Sequence, residues 1–317
     1  MYVSPVTLSV YGMATRFELV LHGDDATRLR AAGEEALQEI ERLDSELSFY
    51  RPESQLSRIN THAARESIKV EPRLLRLLRR CADLTTRTDG AFDVTIAPLM
   101  RAWGFPNGGG KTPSPSELEA ARAAVGMQHV HLDDRHFTVS FDRQGVEIDL
   151  GAVGKGYAIE RAVGILREAG VTSALLHGGT SAVCTIGAPP GEKAWRAAVR
   201  HPSKENGQLE VVNLNNNSLS VSAVHGKSFT DGVKEFGHVI DPRTGQSVEG
   251  IVMAAVTGNS ATECDALSTA LLVLGESGLP ILEDRFPDYS GLVAITTSSS
   301  TRVCPTRNIG SEAQNVR

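Results

Sequence analysis

The chain has 317 residues, of which 41% are apolar and 22% charged, with a formal net charge of −6. That composition belongs to a globular protein able to bury a sizeable core. It argues against a nucleic-acid surface, because the 32 Lys and Arg form no basic stripe, and no run of about 18 apolar residues predicts a membrane-spanning helix.

The opening residues Met1-Tyr2-Val3-Ser4-Pro5 lack the basic and apolar regions of an export signal. The chain as encoded is therefore expected in the cytoplasm; a trimmed N-terminus would leave an extracytoplasmic site open. Cys81, Cys184, Cys264 and Cys304 are scattered without a C-x-x-C pair. They read as small buried side chains, not as a disulfide framework or a thiolate zinc site.

Along the chain, residues 6–21 alternate like strands, with Leu8, Val10, Phe17, Leu19 and Leu21 as the apolar set. A helix is predicted over 26–47, because Leu29, Ala36, Ile40, Leu43 and Leu47 fall on one stripe. Pro72 opens a second helix carrying Leu74, Leu75, Leu78 and Cys81. A loop is predicted over 106–115, then a short helix over 116–125. Strands are predicted at 146–150, 173–177, 182–187, 194–200, 219–224, 251–257 and 291–297, and helices at 155–169 and 261–274. Strands and helices mix without a βαβ rhythm. The expected class is α+β, with mixed or antiparallel sheets, in one unit spanning 1–317 whose alternative arrangement has two lobes.

Four segments carry chemistry. Val146 to Ala158 reads as a strand, a glycine turn and a helix, with Asp149 ending the strand and Lys155 in the first helical turn. Such a turn lets the backbone approach a ligand, and the helix N-terminus offers N–H groups to an anion; an ordinary tight turn is the alternative. Ser260 and Glu263 fit a capping box that starts a helix, and Asp265 and Thr269 then share a face. A carboxylate beside a hydroxyl suits a hard cation such as Mg²⁺, against a solvated Asp and a back-bonded Thr.

His238 precedes the turn Asp241-Pro242-Arg243-Thr244-Gly245. A histidine there is a candidate to take a proton from a hydroxyl, or is packed against the turn. In Gly90-Ala91-Phe92-Asp93 and Trp103-Gly104-Phe105, the aromatic rings either stack on a flat ligand or belong to the core. Gly110-Lys111-Thr112 fails as a P-loop because Phe105 stands where glycine is required. No G-x-G-x-x-G occurs, and His129, His131 and His136 lie around a turn rather than at a metal.

Taken in order, these segments resemble the FAD:protein FMN transferase family, the ApbE-type flavin transferases. The matching pieces are Met13-Ala14-Thr15, Leu47-Ser48-Phe49-Tyr50, Ser54 with Ser57-Arg58-Ile59-Asn60, and Gly90-Ala91-Phe92-Asp93 with Trp103-Gly104-Phe105. They continue through Ile148-Asp149-Leu150-Gly151-Ala152-Val153-Gly154-Lys155-Gly156-Tyr157, Gly178-Gly179, His238 to Gly245, and Asp265-Ala266-Leu267-Ser268-Thr269-Ala270, over roughly residues 10 to 275.

The resemblance implies FAD as substrate and Mg²⁺ as cofactor. It implies Asp265, Thr269 and the carbonyl of Ala152 as magnesium ligands. It implies an FAD site lined by Met13, Tyr50, Ala91, Phe92, Asp93, Asp149, Lys155 and Ile240, with His238 as the base and Lys155 neutralising phosphate charge. The implied reaction moves FMN from FAD to a hydroxyl of a partner protein with a Ser/Thr-Gly-Ala-Ser/Thr motif, releasing AMP. An FAD pyrophosphatase and a non-catalytic FAD-binding protein are the alternatives. Four positions depart from the family pattern: Ala14 for the usual glycine, Gly154 for alanine, Glu160 for aspartate, and Thr180 for an acidic or amide residue.

Overall fold

Phe17, Leu19 and Leu21 alternate along one strand and are fully buried; that strand is the second of an eight-stranded sheet. The computed structural model describes residues 4–201, 207–224, 228–232, 234–296 and 301–306, the side chains of Asn107 and Lys234 excepted. The sheet strands are β1 (Val6–Gly12), β2 (Thr15–Leu21), β3 (Ala174–Gly178), β4 (Ala182–Ile186), β5 (Ser218–Ala223), β6 (Ile251–Gly258), β7 (Ser290–Thr296) and β8 (Thr301–Pro305). Spatial order is chain order, and every pairing among the described strands is antiparallel. Of the mixed and antiparallel arrangements expected, the antiparallel one holds throughout. Long insertions leave this meander after β2, β4 and β5.

The helices are α1 (Ala26–Leu47), α2 (Gln55–His62), α3 (Pro72–Arg87), α4 (Ala97–Ala102), α5 (Pro115–Ala123), α6 (Gly154–Glu168), α7 (Ala261–Leu274) and α8 (Gly278–Arg285). Asp25 caps α1 by accepting the Arg28 N–H, and the predicted stripe is its buried face. Helices α1, α6 and α7 lie side by side against the sheet. Strand parity divides the interior. Ala254 and Val256 of β6 join the core under the helices. Met253 and Ala255 of the same strand join a smaller core under the hairpin Trp195–Arg200/Gln208–Leu214. The stretch Ala261–Arg285 is apolar and long enough to cross a membrane, with mean hydropathy 1.3, yet it is 67% buried inside the fold.

One predicted strand is absent. Val146, Ile148 and Leu150 are buried in alternation, as a strand would bury them, but the segment joins no sheet. Its backbone groups are met otherwise. The Asn60 amide donates to the Ile148 carbonyl at 2.9 Å and accepts from its N–H at 2.8 Å. The Asp149 N–H bonds the Val94 carbonyl at 2.7 Å. A period of two therefore reported burial, not sheet pairing.

Candidate active site

The seam between α6 and α7 is the tightest part of the site. A Cβ on Gly156 would lie 2.2 Å from the Ala261 carbonyl oxygen and 2.7 Å from the Asp265 Cβ, so only glycine lets the helices approach this closely. Across that contact the Gly156 N–H donates to Asp265 Oδ2 at 2.9 Å. Asp265 is 4% exposed. Burial pushes its carboxyl pKa up, while Lys155 and the Gly156 N–H pull it down. The expected phosphate cradle is thus partly spent within the chain: the Gly154 N–H bonds the Leu150 carbonyl, and the Gly156 N–H serves Asp265. The Lys155 Nζ lies 3.5 Å from the Gly151 carbonyl, on the exposed side.

Both helices are held from behind by one ionic network. Arg80 of α3 bonds Glu160 of α6 at 2.6 Å and reaches Ser260 and Glu263 at the start of α7. Glu160 also accepts from the Ser260 hydroxyl and the Thr262 N–H, and these partners hold its pKa down against burial. Only half of the predicted capping box forms: Ser260 accepts the Glu263 N–H at 3.1 Å, whereas the Glu263 carboxylate turns to Arg80. Arg80 carried no motif and Glu160 only a departure from the family's aspartate; their pairing shows in a contact between residues 80 apart.

One turn along α7, the Thr269 hydroxyl lies 3.3 Å from the Asp265 carbonyl and 3.2 Å from the Ser222 hydroxyl of β5. Among the described residues no three His, Cys, Asp or Glu side chains converge. A buried carboxylate with one N–H partner and a hydroxyl one turn along the same helix supply oxygen donors alone, and Ala152 is half-buried just before α6. That chemistry fits Mg²⁺.

Most of the other residues expected to line an FAD site lie outside the helices. Met13 and Ala14 both have positive φ, 49° and 58°, in the two-residue turn between β1 and β2. Such turns favour glycine, so Ala14 holds a strained conformation. The Met13 N–H bonds Asp44, which also pairs with Arg51 beside Tyr50. Tyr50 is 70% exposed, and its phenol pKa is raised by partial burial and by the charge of Asp149. The Asp149 carboxylate accepts the Gly151 N–H at 2.8 Å.

Ala91 and Phe92 are inside the core, each 1% exposed, and Asp93 is 8% exposed. Asp93 Oδ1 accepts from the Thr95 N–H and hydroxyl, at 2.8 and 2.6 Å, and Oδ2 accepts from the Met127 N–H at 3.2 Å. Burial raises its pKa against these bonds. The three residues shape the loop and present no free side chain to a flat ligand in this structure.

Trp103 is core as well. Its indole N–H donates to the Gly245 carbonyl at 2.8 Å and its ring meets Phe229 and Phe236. This bond anchors the turn that carries His238 and Ile240. Ile240 is buried and bridges Ser247; half-buried His238 meets Phe105 edge-on, at 6.5 Å. Asp241 pairs with Arg243 through two bonds, which closes the turn. Thr180 is exposed in the β3–β4 turn. Lys111 and Thr112 bond Glu117 and Asp231, consistent with a loop and not with a P-loop.

Comparison with known proteins covers the same stretch of the chain. A family model described as the ApbE family matches residues 13–292. A Salmonella typhimurium protein named FAD:protein FMN transferase is 30% identical over 271 residues, covering 83% of this chain and 77% of its own. A protein of that name from Escherichia coli is 29% identical over 269 residues, 83% and 76%. Among solved structures, the ApbE protein of Thermotoga maritima superposes with a TM-score of 0.86 at 26% identity, covering 96% of this chain and 97% of that one. The Pseudomonas stutzeri flavinyl transferase ApbE does so at 0.85 and 27% identity, covering 96% and 95%.

Proposed function

This chain belongs to the ApbE family, and on that premise we propose that it is an FAD:protein FMN transferase, moving the FMN half of FAD onto a Ser or Thr hydroxyl of another protein. The observation that carries the reading is Asp265, a buried carboxylate fixed across the α6–α7 seam by the Gly156 N–H and within reach of the Lys155 charge. Buried carboxylates favour neutrality unless a positive partner is present; a hard cation and Lys155 together supply that partner. Asp265, Thr269 and the Ala152 carbonyl would hold Mg²⁺, which when bound neutralises charge on a pyrophosphate. Lys155 adds a second positive charge on the open side.

In the proposed step, the acceptor hydroxyl oxygen attacks the FMN-side phosphorus. A new P–O bond forms, the bond to the bridging oxygen breaks, and AMP leaves. His238 takes the hydroxyl proton; a histidine has the right affinity for a proton near neutral pH. Its turn is fixed by the Trp103 bond to Gly245. Met13, Tyr50, Asp149 and Ile240 belong to the FAD side of this reading, with Ala91, Phe92 and Asp93 as its buried support. The acceptor is expected to carry a Ser/Thr-Gly-Ala-Ser/Thr motif.

The test follows products by chromatography. The protein, FAD and Mg²⁺ are incubated with and without an acceptor peptide. The account expects AMP release to rise when the peptide is added, with little free FMN. Equal AMP and free FMN in both mixtures would mean that water is the acceptor and the protein is an FAD pyrophosphatase. Intact FAD in both would leave a binding protein.

A further inference from the structure

Ser222 lies in no matched motif, yet its hydroxyl is 2.8 Å from the Ser268 hydroxyl and 3.2 Å from the Thr269 hydroxyl. We infer that Ser222 is a positioning residue that accepts the hydrogen bond of the Thr269 hydroxyl and so leaves the Thr269 lone pairs for the cation. This rests on the metal assignment proposed above.

The argument is a proton count. Each hydroxyl has one proton and two lone pairs. Ser268 is fully buried and donates to the Asp265 carbonyl at 2.9 Å. This bond is shorter than the 3.3 Å contact of Thr269 with the same carbonyl, so the carbonyl goes to Ser268, and in the 2.8 Å contact Ser222 is the donor. The Ser222 oxygen then has lone pairs to accept from Thr269. The chain runs in one direction, from Thr269 to Ser222, to Ser268, to the Asp265 carbonyl. It ends on the backbone of the proposed magnesium ligand. A hydroxyl that ligates a cation must aim its proton elsewhere, and groups that orient ligands commonly tune metal affinity. Thr269 has one other acceptor, the Asp265 carbonyl at 3.3 Å, so losing Ser222 weakens the arrangement without abolishing it.

The register supports the same reading. Ser222 sits in β5 opposite Ala254 of β6, and β5 packs against α7. Ser222 is thus held by the sheet while Thr269 is held by the helix, so the contact ties the two layers at the proposed cation site.

The test compares Ser222→Val with Ser222→Thr, which differ by a hydroxyl in place of a methyl. Mn²⁺ is titrated into each protein with FAD present and acceptor absent, and free Mn²⁺ is read by its EPR signal. The Mg²⁺ concentration for half-maximal FMN transfer is measured in parallel. The inference expects Ser222→Val to weaken both by about 10–100-fold, with the rate at saturating Mg²⁺ largely retained, and Ser222→Thr to behave like wild type. Unchanged Mn²⁺ binding in Ser222→Val overturns it. Equal loss in both variants also overturns it, because packing and not the hydroxyl would then matter. If the wild-type protein itself binds no Mn²⁺, the metal assignment fails, and this inference with it.

Discussion

Two aspartates of this chain are buried, and they are buried to opposite ends. Asp93 accepts three hydrogen bonds from two neighbouring segments, and both its oxygens are occupied. Asp265 accepts one N–H bond among the described residues and feels the charge of Lys155. Burial raises the pKa of both. The difference lies in the donors. Asp93 ties residues 93–95 to residue 127 as an internal fastener. Asp265 is under-supplied, and an under-supplied buried carboxylate is where a cation gains most.

The contrast is broken most sharply at Asp265. Asp265→Asn keeps the shape and removes the charge. FMN transfer is expected to fall by on the order of 10³-fold, as measured by the initial rate of peptide flavinylation. Stability should move the other way. A folded-state pKa above the unfolded value means that the metal-free native state binds the extra proton. The metal-free protein therefore loses stability as pH rises from the unfolded pKa towards the folded one. Asp265→Asn removes that loss, so its melting temperature without metal should exceed wild type at neutral pH by a few degrees, with the gap closing in acid. A variant that is less stable than wild type at neutral pH would place Asp265 with Asp93.

Asp93→Ala tests the other half. It strands three donors, two of them buried main-chain N–H groups, at a cost of about 3 kcal/mol or more. Urea unfolding should show the lower midpoint, while the remaining folded protein binds FAD as wild type does. Weakened FAD binding at unchanged stability would turn Asp93 into a ligand contact. The smallest effect is expected at Ala14→Gly. Left-handed backbone costs an L-residue roughly 1–2 kcal/mol, offset by about 0.4–1 kcal/mol from the freer unfolded chain. The net gain, about 0–1.6 kcal/mol by these figures, should appear as a small rise in the urea midpoint.

The sequence made some of this legible and not the rest, for physical reasons. Helix α1 and helix α7 occur where periodicity and Ser260 put them, because an amphipathic stripe and a cap are local. Asp265 and Thr269 share a helix face by spacing alone. The sheet order was not legible: β2 pairs with β3 across more than 150 residues, and no short pattern encodes such a partner. Val146–Leu150 misled because alternate burial is shared by strands and by buried irregular segments. Phe92 and Asp93 were legible as a motif, but their burial in the core was not. Ser222 stayed silent, and Glu160 showed only as a departure from aspartate, because their meaning exists only once β5, α6 and α7 are packed together.

The central claim is tested most directly by the mass of an acceptor peptide. A peptide bearing Asp-x-x-Thr-Gly-Ala-Thr is incubated with FAD, Mg²⁺ and either the wild-type protein or Asp265→Asn. The account predicts a gain equal to one FMN residue with the wild type and none with the variant. An unmodified peptide beside intact FAD in the wild-type mixture would contradict it.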